Sequence, residues 1–286
     1  MRNLQIILSL FVVCIFASAC NSNKQKENKI MVTIEPQRFF AEQLAQPFFT
    51  IETMVPNNTS PETYDPTPNQ MAELAHCKAY WAIGDLGFEI AWLRKIKDNF
   101  PDLHFYKTSL NVEPIVVQIP HGDHFHDGVD PHIWSSPKEI EIMVQNMYES
   151  LIALDPDNKE TYAENLKKVK TRIAGVDEKI KECLANSSQK AFIIYHPTLS
   201  YFARDYGLTQ YSIEADGKEP SPELLKNIIQ KAQEENIRTI FIQQEFDQKN
   251  AETIAKETGS RLVAINPLSY NWEEETIKIA QALSNE

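Results

Sequence analysis

The chain has 286 residues, 42% hydrophobic and 24% charged, which gives enough length for one large or two modest packed domains and lies outside the disordered range of composition. Its 28 basic and 40 acidic residues leave a net charge of -12, which opposes binding to phosphate backbones and excludes nucleic acid as an expected partner. The acidic excess reads as a solvated surface.

Residues 1–20, MRNLQIILSLFVVCIFASAC, combine a basic start at Arg2, an apolar run from Leu4 to Phe16 and small residues before Cys20. This is the pattern of an export signal, and the run is short for a membrane span. The polar stretch NSNKQKENK that follows reads as a flexible tether. The segment resembles a bacterial lipoprotein signal, which implies a signal peptide over 1–19, lipidation of Cys20 and a tether over 20–29. Ala17 departs from that pattern, which usually has Leu there. A plain secretory signal cut near Ala19 would give the same extracytoplasmic location. Cys77 and Cys183 have no CxxC partner, so a cysteine zinc site is excluded; an oxidising compartment would allow a disulfide between them, and two separate thiols in different parts of the fold are the expectation.

From residue 30 the chain alternates. IMVTIEP, FTIETMVP, AYWAIG and LHFYKTS read as strands, and RFFAEQLAQ, NQMAELAHC and FEIAWLRKIKDNF as helices between them. The rhythm returns after residue 188, with strands KAFIIYHP, TQYSIEA, RTIFIQQ and RLVAINP and helices LSYFARDYG, SPELLKNIIQKAQEENI, QKNAETIAKETG and WEEETIKIAQAL. Apolar strands alternating with helices predict parallel sheets covered on both faces. Between these halves Tyr162, Leu166, Val169, Ile173, Val176 and Ile180 recur at three- and four-residue steps, predicting one amphipathic helix of roughly 40 Å. The expected fold is therefore α/β, with two lobes built on parallel sheets (30–158 and 188–286) joined by one long rigid helix (159–187). A surface helix of one lobe, kinked near Gly175, is the alternative.

Several enzyme signatures are absent. The eight glycines form no GxG pair, and neither a GxSxG elbow nor HExxH occurs. HFHD at His124 to Asp127 is followed by Gly128 and Val129, which breaks the spacing of an HxHxDH hydrolase motif. What remains is a set of polar residues following strands: Glu62 in SPETYDPTPNQ, His132 in DPHIW, His196 ending AFIIYHP, and Asp247 after TIFIQQ. Ligands of open α/β sheets bind beyond the carboxyl ends of the strands. Nitrogen and oxygen donors at that address suit zinc or manganese. Taken singly, Glu62 could cap a turn, Asp247 could cap a helix and either histidine could be structural.

SPETYDPTPNQMAEL, GDLGFEIAWL, DPHIWSSPK, YHPTLSYFARDYGL and EPSPELLKNIIQKAQEENIRTIFIQQEFDQKNAETIAKETG, in that order, resemble the solute-binding proteins of zinc and manganese ABC transporters. The resemblance spans essentially the whole mature chain and implies two α/β lobes on one long helix. It also implies a Zn2+ site, with Mn2+ as the alternative, made by Glu62, His132, His196 and Asp247, with Glu245 as the fallback for Asp247. Glu62 stands where the family usually has His. His121, His124 and His126 resemble the short histidine-bearing loop near the cleft of zinc-type members, and read either as a loop that collects metal loosely or as a solvated loop. The implied function is extracytoplasmic capture of a divalent metal by a lipid-anchored monomer and its delivery to a membrane permease, without catalysis. A metal-assisted hydrolase and a metal-dependent adhesin are the competing readings.

Overall fold

The structure is a computed structural model that describes residues 26–121, 124–185, 187–214, 220–244, 246 and 248–284. The expected signal peptide, Cys20, Glu245 and Asp247 lie outside the described residues.

Strands β1 (Lys29–Val32), β2 (Thr50–Thr53), β3 (Ala79–Ala82) and β4 (His104–Lys107) form a parallel sheet in the order β2-β1-β3-β4. Helices α1 (Glu35–Ala45), α2 (Pro68–Glu73) and α3 (Gly87–Asn99) connect them. A hairpin of β5 (Val116–His121) and β6 (His124–Val129) leads to α4 (Pro137–Leu154) and α5 (Lys159–Ala185). The second parallel sheet has the order β10-β9-β7-β8, with β7 (Ala191–Ile194), β8 (Thr209–Ser212), β9 (Thr239–Gln243) and β10 (Arg261–Ile265). Helices α6 (Ser200–Asp205), α7 (Pro222–Glu234), α8 (Lys249–Thr258) and α9 (Trp272–Ser284) complete it. This is the expected architecture.

Strand alternation builds three apolar layers. Ile30, Val32 and Trp81 of the first sheet and Phe192, Ile194 and Phe241 of the second face a single core shared by both halves. The outward residues Met31 and Tyr80 pack under Phe88 and Ile96 of α3. Ile193, Ile240 and Ile242 pack under Ile228 of α7 and Ile254 of α8. Helix α5 runs for 27 residues without interruption at Gly175 and buries the six predicted positions Tyr162, Leu166, Val169, Ile173, Val176 and Ile180 in the shared core. It packs on α1 and α4 of the first half and on α9 of the second, so it belongs to both halves.

Two features differ from the sequence reading. The histidine-rich stretch has no evident period in the sequence, yet its backbone is a two-stranded antiparallel ladder in which His121 opposes His124 and Ile119 opposes His126. The side chains of these three histidines lie outside the described residues. Helix α4 was not singled out from the sequence. Pro137 opens its first turn and Ile140, Met143, Val144, Met147 and Leu151 form its buried face, a helical spacing that the neighbouring motif residues obscure. Cys77 and Cys183 are both free thiols, as expected. Among the described residues no helix is long and apolar enough to cross a membrane.

The halves are also pinned near the strand ends. The Trp134 indole donates to the Pro267 carbonyl at 2.9 Å, and the Trp272 indole donates to the Trp134 carbonyl at 2.7 Å. The Tyr201 hydroxyl donates to the Asp130 carbonyl at 2.8 Å, and Arg204 of α6 pairs with the buried Glu139 carboxylate of α4. Because a Cβ on Gly175 would meet nothing within 4 Å, Gly175→Ala is expected to stabilise the metal-free protein by about 1 kcal/mol through helix propensity alone. Chemical denaturation should show the gain, with metal affinity unchanged.

Candidate metal centre

Three sequence-predicted residues come together at the carboxyl ends of the strands. Glu62 lies on the loop that follows β2, His196 two residues beyond β7, and His132 at the start of a short 3-10 turn between β6 and α4. Their ligand atoms all lie within 4.8 Å of one another. His132 is buried, with 6% of its surface exposed, and its ring meets His196 edge-on at 5.2 Å between centroids. Asp247 and Glu245, expected as the fourth donor, lie outside the described residues, but Phe246 between them stacks on His196 at 5.3 Å and 24°.

Each imidazole is oriented by a carboxylate. His132 Nδ1 is 2.7 Å from Asp130 Oδ1 and His196 Nδ1 is 3.0 Å from Glu214 Oε2. A ring nitrogen engaged by a carboxylate carries the proton, which turns the lone pair of Nε2 toward the opposite side. Asp130 is itself held in place, since it also accepts from the His132 backbone N–H at 2.9 Å. The His196 turn is fixed by Gln243 at the end of β9, which donates to the His196 carbonyl at 2.8 Å and to Thr198 Oγ1 at 3.1 Å.

Glu62 divides its carboxylate. Oε2 accepts from the Gly87 backbone N–H at 3.0 Å. Oε1 is buried with no hydrogen-bond partner among the described residues and lies 3.9 Å from His132 Nε2. A zinc ion bonded at about 2.0–2.1 Å sets tetrahedral donors about 3.3 Å apart, so small side-chain rotations would close these three donors on one ion. The space they enclose with Trp134, Thr198 and Leu268 is about the size of one water molecule.

The electrostatics favour a cation. Burial alone would lower the pKa of His132, but the adjoining Asp130 carboxylate, with Glu62 and Glu214 beyond it, more than offsets burial and holds the imidazole above the ordinary histidine range. Burial likewise works against the Asp130 carboxylate, yet His132 holds it below the usual carboxylate range. Two nitrogen donors, one carboxylate oxygen and excess negative charge around a small, largely buried space are a donor set for zinc or manganese.

Sequence reasoning missed Asp130, Glu214 and Gly87. Asp130 stands two residues before a candidate ligand, inside the DPHIW segment, and Glu214 two residues beyond β8 at the same sheet edge as His196. Both positions were available as signals of support for a neighbouring imidazole.

Residues 30–280 match the family model described as zinc-uptake complex component A periplasmic. The zinc-binding lipoprotein AdcA of Streptococcus pneumoniae is 29% identical over 95% of this chain, which spans only 57% of that protein's length. The manganese ABC transporter substrate-binding lipoprotein PsaA of Streptococcus anginosus is 24% identical over 92% of this chain and 89% of its own. A crystal structure of ZnuA superimposes with a TM-score of 0.83 at 33% identity, covering 91% of this chain and 99% of that one. By the extent of the family match, the chain belongs to the periplasmic zinc-uptake component A family.

Proposed function

We propose that this protein is the extracytoplasmic solute-binding component of a metal ABC transporter. It captures a divalent metal, zinc in preference to manganese, between its two sheets and hands it to a membrane permease. The metal is cargo, and the protein binds and releases it without chemical change. The observation that carries this reading is Glu62 Oε1, a buried carboxylate oxygen with no hydrogen-bond partner among the described residues, facing two imidazoles whose other nitrogens are already engaged by Asp130 and Glu214. Glu62, His132 and His196 supply three donors, and Asp247, with Glu245 as its fallback, is proposed for the fourth. Zinc is favoured by the two imidazoles and by the space for a single small ion. Family membership and the relatives' named cargoes, zinc for AdcA and manganese for PsaA, support the same class.

The proposal extends to placement on the membrane, with Cys20 as the lipid anchor. The hairpin that bears His121, His124 and His126 is proposed as an outer collecting element, supported by the cross-strand pairing of His121 with His124. The lobes, 30–158 and 188–286, are proposed to close on the metal by small rotations, because the core they share resists a wide hinge.

Metal content of protein purified without chelator, followed by zinc and manganese titration calorimetry, tests the function. His132→Ala and His196→Ala should each reduce zinc affinity by more than the roughly 10–100-fold typical of removing an outer-shell partner, while circular dichroism stays unchanged. Near-native affinity in either variant would remove that residue from the site.

Glu214 touches the metal only through His196, so Glu214→Gln should weaken zinc by about 10–100-fold without abolishing binding. A loss as large as that of His196→Ala would mean that Glu214 coordinates directly.

The raised His132 pKa sets the pH dependence. Metal requires the neutral ring, so zinc affinity falls as pH drops through that value, beginning above the ordinary histidine pKa of about 6.5. Removing the Asp130 charge with Asp130→Asn should move the onset to lower pH. Zinc dissociation constants at stepped pH decide it, and an onset confined to below about pH 6 would contradict the assignment.

A further inference from the structure

Gly87 opens helix α3, and its N–H is the donor that occupies Glu62 Oε2 at 3.0 Å. The next amide, Phe88, donates to the Pro61 carbonyl at 2.9 Å. The loop bearing Glu62 is thereby seated on the first turn of a 13-residue helix, whose free amides and partial positive charge suit a carboxylate. The seat exists because residue 87 lacks a side chain. A Cβ there would lie 2.3 Å from the Glu62 carbonyl oxygen and 2.8 Å from Oε2, and the obstructing atom is backbone.

We infer that Gly87 is a specificity-determining residue: by holding Oε2, it makes Glu62 a one-oxygen ligand and so favours a four-coordinate ion such as zinc over a six-coordinate ion such as manganese. This inference rests on the reading of Glu62 as a ligand. Zinc is satisfied by four donors in a tetrahedron, whereas manganese prefers an octahedron rich in oxygen. Among the described residues Glu62 is the one carboxylate of the three-donor cluster, so its second oxygen is the nearest described source of an additional oxygen for the larger ion. Here the second oxygen would have to leave a charge-assisted hydrogen bond and strand a helix-end amide.

The amide cannot follow it. Glu89, in the same turn, accepts from the Ile83 N–H at 2.8 Å and also from the Gly84 N–H and Thr33, and Phe88 is buried in the outer core of the first sheet. The helix end is therefore anchored to the ends of β1 and β3. A carboxylate at position 62 would on its own shift preference toward manganese, as a harder donor than imidazole. The Gly87 amide opposes that shift.

The test measures zinc and manganese dissociation constants of the full chain by competition with a chromophoric chelator, for wild type, Gly87→Ala and Glu62→Ala. X-ray absorption of the wild type loaded with each metal accompanies it. Expected are a loss of zinc binding in Glu62→Ala, a single Glu62 oxygen on either metal in the wild type, and a zinc-to-manganese affinity ratio about tenfold smaller in Gly87→Ala. An unchanged ratio in Gly87→Ala overturns the inference while leaving Glu62 as a ligand. Wild-type zinc affinity in Glu62→Ala overturns both the inference and the assignment of Glu62. If Gly87→Ala does not fold, the wild-type spectra decide alone, and two Glu62 oxygens bonded to manganese overturn the inference.

Discussion

A buried carboxylate oxygen with no hydrogen-bond partner is costly, and among the described residues the site is organised around one. Leaving such a group unpaired costs on the order of a few kcal/mol, yet Glu62 Oε1 is held that way by the Gly87 amide on its sister oxygen. Around it the fold adds more negative charge, since Asp130 and Glu214 stand behind the imidazoles. Glu62 and the two imidazoles line a space about as large as one water molecule, and the other two carboxylates act on it through the rings they hold. On the proposed reading, a proton on His132 and a divalent cation would compete for the same deficit of positive charge.

The three apolar layers are what keep that deficit in place. Donors at strand ends inherit the rigidity of the sheets, and here the inner faces of both sheets meet α5 in one core. Glu62 and His132 come from the first half and His196 from the second. The segment that bears His132 is fastened to the second half through Tyr201 and through the Trp134 and Trp272 indoles. The relative positions of these three side chains are thus set by the packing of the fold itself.

The parts legible in the sequence were those with a short-range signature. The six apolar positions of α5 follow helical spacing, so the helix and its buried face could be read directly. Glu62, His132 and His196 were legible because each follows a strand, or sits in a segment with a recognisable order. The supporting groups were not legible for a physical reason. Gly87 meets Glu62 across 25 residues of chain and Glu214 meets His196 across 18, and neither contact leaves a local period. Asp130 was close enough to see, but its role is defined by the imidazole it turns. The hairpin escaped because its alternation is masked by imidazoles and carboxylates in place of the usual apolar residues of a strand.

The shared core also has a consequence for time. A protein that scarcely rearranges when it binds gives up little conformational freedom on capture, and it regains little on release. Under the proposed function, dissociation would depend almost wholly on breaking the bonds to the ion, with no faster route through wide opening. The time an ion remains aboard would be set by the proposed donors and by the loop that holds Glu62, and a partner that hastens its departure would have to act on those groups from outside the fold.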